Sequence, residues 1–303
     1  MLKPDSPYLG RFAPTPSGHL HFGSLLAALA SYLDARARGG QWLVRMEDLD
    51  RPRNKSGAAE HILQTLTAHG LCWDGDVLAQ TEHEPRYQQQ IESWLAQGLA
   101  YYCSCSRSDL AVHGGVYPGT CRERHLPASP DHAIRLRVSN NPIGFTDRLQ
   151  GDFSQRLESE TGDFVIRRRD GVIAYQLAVV MDDITQGVTD IVRGADLLDS
   201  TPRQLWLYEL LGAAPPTYMH IPLMMTQRGE KLSKRLGSTP IQASQAPASL
   251  YAALSALCQQ PPGELQDAPA AEILAWAAAH WQPQKMPAER EILVAVQATT
   301  GGG

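Results

Sequence analysis

Two groups of residues, far apart in the chain, have the types and spacing that phosphate chemistry uses. The first is the stretch Arg11 to Gly18, which ends in a proline- and glycine-bearing loop from Pro14 and leads into His21, Gly23 and Ser24 at the start of a helix. Backbone N–H groups at a helix start attract phosphate, and a histidine there can add a donor. The second is the basic loop Lys231-Leu-Ser-Lys234-Arg235. Each alone is weak, because lone histidines are usually structural and basic loops are usually just solvated.

A cluster of thiols indicates a metal site. Cys103, Cys105 and Cys121, three of the five cysteines, fall in one short segment. Because the N-terminus lacks the apolar stretch of a secretory signal, we expect a cytoplasmic protein with reduced thiols, which favours metal over disulfides. Three soft ligands suit one structural zinc ion. Chemistry alone favours His113 or His125 as the fourth ligand, and three unliganded thiols are the alternative.

Composition excludes several classes of protein. The 303 residues are 43% hydrophobic and 19% charged, which is typical of a globular protein. No apolar run approaches the length of about 20 residues that a membrane helix needs, so no membrane is expected as a partner. The net charge of −5 argues against a surface coated for non-specific nucleic-acid binding. Arginines concentrate in the middle of the chain, where they form either a phosphate-facing surface or an ordinary solvated face.

The elements that position the first loop are predicted by the hydrophobic pattern. A strand over Tyr8 to Ala13, a helix over about Gly23 to Ala37 and a strand over Gln41 to Glu47 form a strand–helix–strand unit. Such units build parallel sheets, and these sheets bind nucleotides at the carboxyl ends of their strands. The sequence therefore predicts an α/β fold with a nucleotide-binding core.

The remainder of the chain has weaker patterns. Later predicted elements are helices over about 58–69 and 85–97, a metal-stapled inserted loop over 101–125, short strands within 133–166, a helix from Tyr175, a strand over Asp190 to Arg193, a helix over 200–212, one last strand over His220 to Met225, and helical structure beyond 240. The predicted organisation is a first half of the core over 1–100, a zinc-bearing insertion over 101–170, a second half of the core over 171–240 and a short helical C-terminal segment over 241–303.

Five ordered motifs carry a family resemblance. They are RFAPTPSGHLHFGS from Arg11, VRMEDLD from Val44, YQLAVVMDD from Tyr175, IVRGADLL from Ile191 and KLSKR from Lys231. Over residues 8 to about 240 the chain resembles the glutamyl branch of class I aminoacyl-tRNA synthetases. One departure is Ser24, since the fuller form of the first motif has a second histidine there. The resemblance implies a Rossmann-like class I catalytic core.

The resemblance also implies an activity and a set of site residues. Glutamate is expected to attack ATP, with magnesium as the phosphate counterion, to form a glutamyl-adenylate. His21, Lys234 and Lys231 are the expected catalytic donors, and Pro14, Gly23 and Ser24 are expected to join them in binding ATP. The expected glutamate site comprises Arg11, Ala13, Thr15, Glu47, Tyr175 and Arg193. For the metal, the resemblance favours Tyr117 as the fourth ligand beside the three cysteines.

The short stretch of chain after Arg235 narrows the resemblance. Full glutamyl enzymes have helical anticodon-binding domains there, and this chain has no room for them. It looks like the short glutamyl-queuosine tRNA(Asp) synthetases, which implies transfer of glutamate to queuosine in the anticodon stem-loop of tRNA(Asp), by a protein expected to be a monomer. The alternatives are a truncated ordinary glutamyl-tRNA synthetase, another nucleotidyltransferase on the same fold and a non-catalytic tRNA-binding paralogue.

Overall fold

A computed structural model describes residues 7–225 and 240–293 of the chain. The strands are β1 (Leu9–Phe12), β2 (Gln41–Met46), β3 (Leu78–Ala79), β4 (Ala100–Cys103), β5 (Ala133–Leu136), β6 (Pro142–Asp147), β7 (Gly151–Arg156), β8 (Phe164–Arg167), β9 (Asp190–Gly194), β10 (Thr217–Ile221), β11 (Leu223–Met225) and β12 (Glu291–Leu293). The α-helices are α1 (Phe22–Arg36), α2 (Ala58–Ala68), α3 (Glu84–Ala96), α4 (Arg107–Ala111), α5 (Leu157–Glu160), α6 (Tyr175–Gln186), α7 (Thr201–Leu210), α8 (Ala246–Ala256) and α9 (Ala270–Ala279).

Parallel strands form the nucleotide-binding core. β1 pairs with β2, β2 pairs with β3, and β9 pairs with β10, all in parallel. The Thr189 N–H, just before β9, donates to the Leu9 carbonyl at 2.9 Å, so β1 and β9 begin side by side. The strand–helix–strand unit expected from the first fifty residues is confirmed, and the carboxyl ends of β2, β1 and β9 meet at one edge.

Helix α1 is buried on most of its surface because it is covered from two sides. It packs against β1, β2 and β9 on one side and against α8 and α9 on the other. Its alanines and leucines therefore line a core cluster rather than a single stripe. The chain returns to β2 through Gly40, where an added Cβ would lie 2.6 Å from the Tyr8 carbonyl oxygen, so that only glycine fits this approach.

The middle of the chain forms a second unit. β4, β5 and β8 build an antiparallel sheet, and β6 and β7 form a hairpin. The hairpin returns to the parallel core, where the ring of Phe145 packs edge-on against Tyr218 in β10 with centroids 5.7 Å apart. The expected inserted loop is more ordered than the sequence indicated, because β4 opens it and Ser106 caps the short helix α4 through a reciprocal bond with Asp109.

Two expectations for the last third of the chain are corrected by the structure. The single strand expected over 220–225 is two strands, β10 and β11, because Pro222 between them has no N–H to donate to a ladder. The segment beyond 240 contains helices α8 and α9, as expected, but it also contributes β12, which pairs in parallel with β11. The C-terminal segment is therefore tied to the core through a strand.

Candidate active site and metal centre

The loop after β1 lies at the carboxyl edge of the parallel strands. The Pro14 carbonyl accepts from the Glu47 N–H at 2.9 Å, which ties this loop to the end of β2. His21 occupies the N-cap position of α1, and its Nδ1 lies 3.1 Å from the Ser24 hydroxyl. A hydroxyl that donates to Nδ1 leaves Nε2–H as the donor of a neutral imidazole. Gly23 and Ser24 lie in the first turn, whose N–H groups are available to an anion.

The other half of the expected ATP site, Lys231 and Lys234, lies outside the described residues.

Arg11 is held at the end of β1 by a buried carboxylate. Its Nε and Nη2 donate to the two Asp183 oxygens at 3.1 and 3.2 Å. Asp183 also accepts from Arg45 Nη2 at 2.8 Å. Burial opposes the ionisation of Asp183, but the two guanidiniums lower its pKa below the ordinary value. The pattern of donors fixes the plane of the Arg11 guanidinium and leaves its Nη1 for a ligand.

Glu47 follows β2 and completes the charge pattern. Burial raises the pKa of its carboxyl to about 7, although Arg45 and Arg11 lower it. Tyr175, at the start of α6, is half-buried and interacts electrostatically with Arg193, Glu47 and Arg11. Ala13 and Thr15 lie in the loop after β1, both half-buried. Two guanidiniums and one carboxyl therefore converge on the edge where parallel-sheet proteins bind ligands.

Arg193, near the end of β9, is the second buried guanidinium. Its Nε donates to His220 Nε2 at 2.9 Å, and its Nη2 donates to the Thr201 hydroxyl at 2.9 Å. Nη1 lies 3.5 Å from the Tyr175 hydroxyl, and the guanidinium lies over the ring of Tyr218 at 5.2 Å. Arg193 is 5% exposed. Its orientation is thus set by neutral groups, so its charge remains available to an anionic ligand.

Several residues around this site were missed by the sequence reasoning. Asp183, a residue of the motif YQLAVVMDD to which no role was assigned, holds Arg11. Asp182 accepts from Gln80 at 2.8 Å and from the Tyr87 hydroxyl at 2.7 Å. Asp182 therefore ties α6 to α3 rather than facing a ligand. His220 and Thr201, which hold Arg193, carried no motif signal, because a histidine in a strand and a threonine at a helix start are common without such a role.

The three cysteines of the insertion come together. Their Sγ atoms all lie within 4.8 Å of one another, and the pair Cys105 and Cys121 is 3.5 Å apart. Four ligands about 2.3 Å from a zinc ion would lie roughly 3.8 Å from one another. The Tyr117 hydroxyl lies 3.5 Å from Cys103 Sγ, at the spacing of a fourth ligand. Among the described residues no histidine nitrogen joins the three thiols within that distance. The choice of Tyr117 over His113 and His125 as the fourth ligand stays a prediction.

We expect near-stoichiometric zinc in the protein purified without chelators. Replacement of Cys121 by serine, a harder and poorer zinc ligand, should lower the bound zinc at least about twofold. The matched control is Cys72→Ser, because Cys72 is an exposed thiol outside the cluster. Metal content is measured by inductively coupled plasma mass spectrometry. A wild-type protein with negligible zinc, or equal zinc in both variants, would contradict a zinc site at this cluster.

Three of the arginines in the middle of the chain are paired with carboxylates of the protein itself. Arg122 bonds Asp163 at 2.7 Å, Arg137 bonds Glu123 at 2.7 Å and Arg148 bonds Asp34 at 2.6 Å. Guanidiniums that already have carboxylate partners are poor counterions for RNA phosphates. The structure therefore argues against the phosphate-facing alternative for these three arginines.

Among the described residues, none of the helices combines the length and apolar character needed to cross a membrane.

Comparison with known proteins finds one matching family model and relatives that share one name. Residues 9–116 and 120–254 match the family model described as tRNA synthetases class I (E and Q), catalytic domain. A protein of Ectopseudomonas mendocina named Glutamyl-Q tRNA(Asp) synthetase is 57% identical over 95% of this chain and 98% of that protein. A protein of Pseudomonas aeruginosa with the same name is 58% identical over 93% of this chain and 96% of that protein.

Among solved structures, the glutamate-tRNA synthetase of Elizabethkingia anophelis has the same fold. It superposes with a TM-score of 0.78 and 23% sequence identity, over 96% of this chain and 68% of that chain. The Rossmann-like catalytic fold expected from the five motifs is thereby confirmed.

Proposed function

The chain belongs to the class I tRNA synthetase family (E and Q), in the branch whose members are named Glutamyl-Q tRNA(Asp) synthetase, and is thus a ligase. From this relationship we propose the substrates that it ligates. It activates L-glutamate with ATP in the absence of tRNA. It then transfers glutamate to queuosine at the wobble position of tRNA(Asp). The observation that carries this proposal is the convergence of Arg11, Arg193 and Glu47 at the carboxyl edge of β1, β9 and β2.

Charge complementarity selects the amino acid in this proposal. Glutamate has two carboxylates and one ammonium group, and the site offers two buried guanidiniums and one acid. The forked donors of arginine suit carboxylates, while Glu47 suits the ammonium. An ammonium beside Glu47 would favour its ionised form and oppose the rise in its pKa that burial causes. Tyr175, Ala13 and Thr15 complete the walls of this pocket.

The first step is an in-line displacement at the α-phosphate of ATP. An oxygen of the glutamate α-carboxylate forms a bond to that phosphorus, and the bond to the bridging oxygen of pyrophosphate breaks. His21, Lys234 and Lys231 stabilise the charge on the phosphate oxygens, and Pro14, Gly23 and Ser24 shape the site around ATP. Loss of one such preorganised donor costs about 3 to 4 kcal/mol of transition-state stabilisation. Magnesium, bound with ATP, neutralises phosphate charge.

The second step transfers the glutamyl group. A hydroxyl of the queuosine cyclopentenediol attacks the carbonyl of the adenylate, AMP leaves, and an ester forms. The diol resembles the vicinal hydroxyls of a terminal ribose, so one active site suits either acceptor once the RNA is placed. The anticodon stem-loop offers unstacked bases and backbone for this placement. Cys103, Cys105, Tyr117 and Cys121 would hold a zinc ion with a structural role, since the insertion is separate from the ATP motifs.

Transfer of labelled glutamate to total tRNA tests the acceptor. RNA from queuosine-competent cells is compared with RNA from cells that cannot make queuosine, and periodate oxidation of the diols is the chemical control. Label on the queuosine-containing RNA alone supports the proposal. Equal label on both RNAs indicates ordinary charging of a 3′ end, and the absence of glutamate-dependent pyrophosphate exchange indicates a different nucleotidyltransferase or a binding protein without activity.

A further inference from the structure

A line of buried, hydrogen-bonded side chains extends from the β6–β7 hairpin to Arg193. Asp147, at the end of β6, accepts from His220 Nδ1 through Oδ2 at 2.6 Å. His220, in β10, accepts from Arg193 Nε through Nε2 at 2.9 Å. The side chains of His220 and Asp147 are 0% exposed. Three separate elements of the chain thus meet in one line of hydrogen bonds behind the proposed glutamate site.

The direction of these bonds fixes the state of His220. Arg193 Nε carries a proton and can only donate, so His220 Nε2 must be an acceptor and its single proton must reside on Nδ1. Asp147 requires the same arrangement, because its carboxylate can only accept. Burial and the Arg193 charge lower the pKa of His220 to about 4, although Asp147 opposes this, so the imidazole is neutral at physiological pH.

Asp147 is itself held in one orientation. Its Oδ1 accepts three backbone N–H groups, from Leu149 at 3.0 Å, Gln150 at 2.9 Å and His220 at 3.1 Å. Oδ2 is therefore the atom that faces the imidazole. An acceptor at this position selects the His220 tautomer that can receive the Arg193 proton, in the way that a buried aspartate sets a catalytic histidine in serine proteases.

We infer that Asp147 and His220 are positioning residues that set the orientation of Arg193 for a substrate carboxylate, through the tautomer of His220. This inference rests on the proposed role of Arg193 in glutamate binding. It assigns the hairpin a function in amino-acid recognition, although the hairpin lies outside the motifs that carry the family resemblance. Neither residue contacts the substrate, so their effect is on the affinity for glutamate and not on ATP.

The sharpest test is Asp147→Asn, because the three backbone donors dictate how the amide must lie. They require the amide oxygen at the Oδ1 position, which places the NH2 group against His220 Nδ1. His220 must then carry its proton on Nε2, where it opposes Arg193 Nε–H. We expect the KM for glutamate to rise about tenfold to a hundredfold, with little change in the KM for ATP, in glutamate-dependent pyrophosphate exchange.

Nitrogen-15 NMR of histidine-labelled protein reads the tautomer directly. The His220 signals, assigned by their loss in His220→Asn, should show a protonated Nδ1 in wild type and a protonated Nε2 in Asp147→Asn. Two variants of His220 separate the contributions of its two hydrogen bonds, one to Arg193 and one to Asp147. Glutamine retains an acceptor that reaches Arg193, whereas asparagine retains only a donor that reaches Asp147. His220→Asn should therefore raise the KM for glutamate more than His220→Gln.

Asp163→Asn is the matched control. Asp163 and Asp147 are each 2% exposed when the whole residue is counted, and Asp163 accepts from Tyr101 and Arg122 in the insertion. Its replacement should leave the KM for glutamate unchanged. A switched tautomer with a wild-type KM, or equal increases in the KM values for glutamate and ATP, would overturn the inference alone. A wild-type protein without glutamate-dependent exchange would overturn the proposed function and the inference together.

Discussion

Replacement of Arg193 by alanine is expected to abolish glutamate activation while leaving ATP binding nearly intact. Arg193 is 5% exposed and is oriented by His220 and Thr201, so its loss leaves a substrate carboxylate without this buried partner. Removing one partner of a buried charge pair costs about 2 to 5 kcal/mol, and the kcat/KM for glutamate should fall about a hundredfold or more. Pyrophosphate exchange measures glutamate activation, and isothermal titration calorimetry with a non-hydrolysable ATP analogue measures ATP binding.

Arg148→Ala is a suitable control for this prediction. Arg148 is also a largely buried arginine, but its bidentate partner is Asp34 in α1, at 2.6 and 2.8 Å. Its loss should lower the free energy of unfolding without a selective effect on the KM for glutamate. Equal loss of glutamate and ATP binding in Arg193→Ala would mean that the glutamate pocket has been misplaced.

Asp183→Ala is expected to cause the largest loss of stability among single substitutions at the site. Asp183 is 2% exposed and bonds both Arg11 and Arg45, which are 4% and 0% exposed. Its removal leaves two buried guanidiniums in repulsion, and the carboxyls that remain near them in the described structure are Glu47 and Asp182, the latter 3.8 Å from Arg45. Breaking a buried pair in this way lowers the free energy of unfolding by about 3 to 5 kcal/mol. Urea unfolding followed by tryptophan fluorescence measures the change.

The comparison for Asp183 is an ion pair on the surface. Asp199 bonds Arg290 at 3.0 Å, with the two side chains 55% and 48% exposed. Because solvent screens such pairs, Asp199→Ala should change the free energy of unfolding by no more than about 1 kcal/mol. Similar losses in the two variants would show that Asp183 does not hold the site together. Glutamate activation should also be lost in Asp183→Ala where the protein remains folded, because Arg11 is released.

Local pattern was enough to predict the first elements of the fold. The alanine- and leucine-rich stretch of α1 is long, apolar strand segments flank it, and the glycines after α1 define its end, so the bounds of β1, α1 and β2 agree within a residue or two. The division of the expected last strand into β10 and β11 follows from Pro222, a signal that the prediction of a single strand did not take into account. β12 was not predictable in this way, because a three-residue strand has no period of its own and forms only beside β11.

The residues of the site also fall into those that the sequence predicted and those that it did not. Residues in motifs, such as His21 and Glu47, were named from the sequence because their order along the chain matches a known family pattern, and they remain predictions as regards their roles. The three cysteines were grouped correctly because they are close in sequence, and a short segment cannot separate them widely.

The sequence by itself determined which chemical groups this protein has and the order of the strands that carry them: a helix start for phosphate, two arginines and a glutamate at strand ends, and a cluster of thiols. Only the tertiary structure decided what holds these groups. Asp183 reaches Arg11 from 172 positions away, and Asp147 reaches His220 from 73 positions away. Such partners leave no periodic signal, because a buried charge needs a counterpart in space, and the chain can supply it from any element that folds against it.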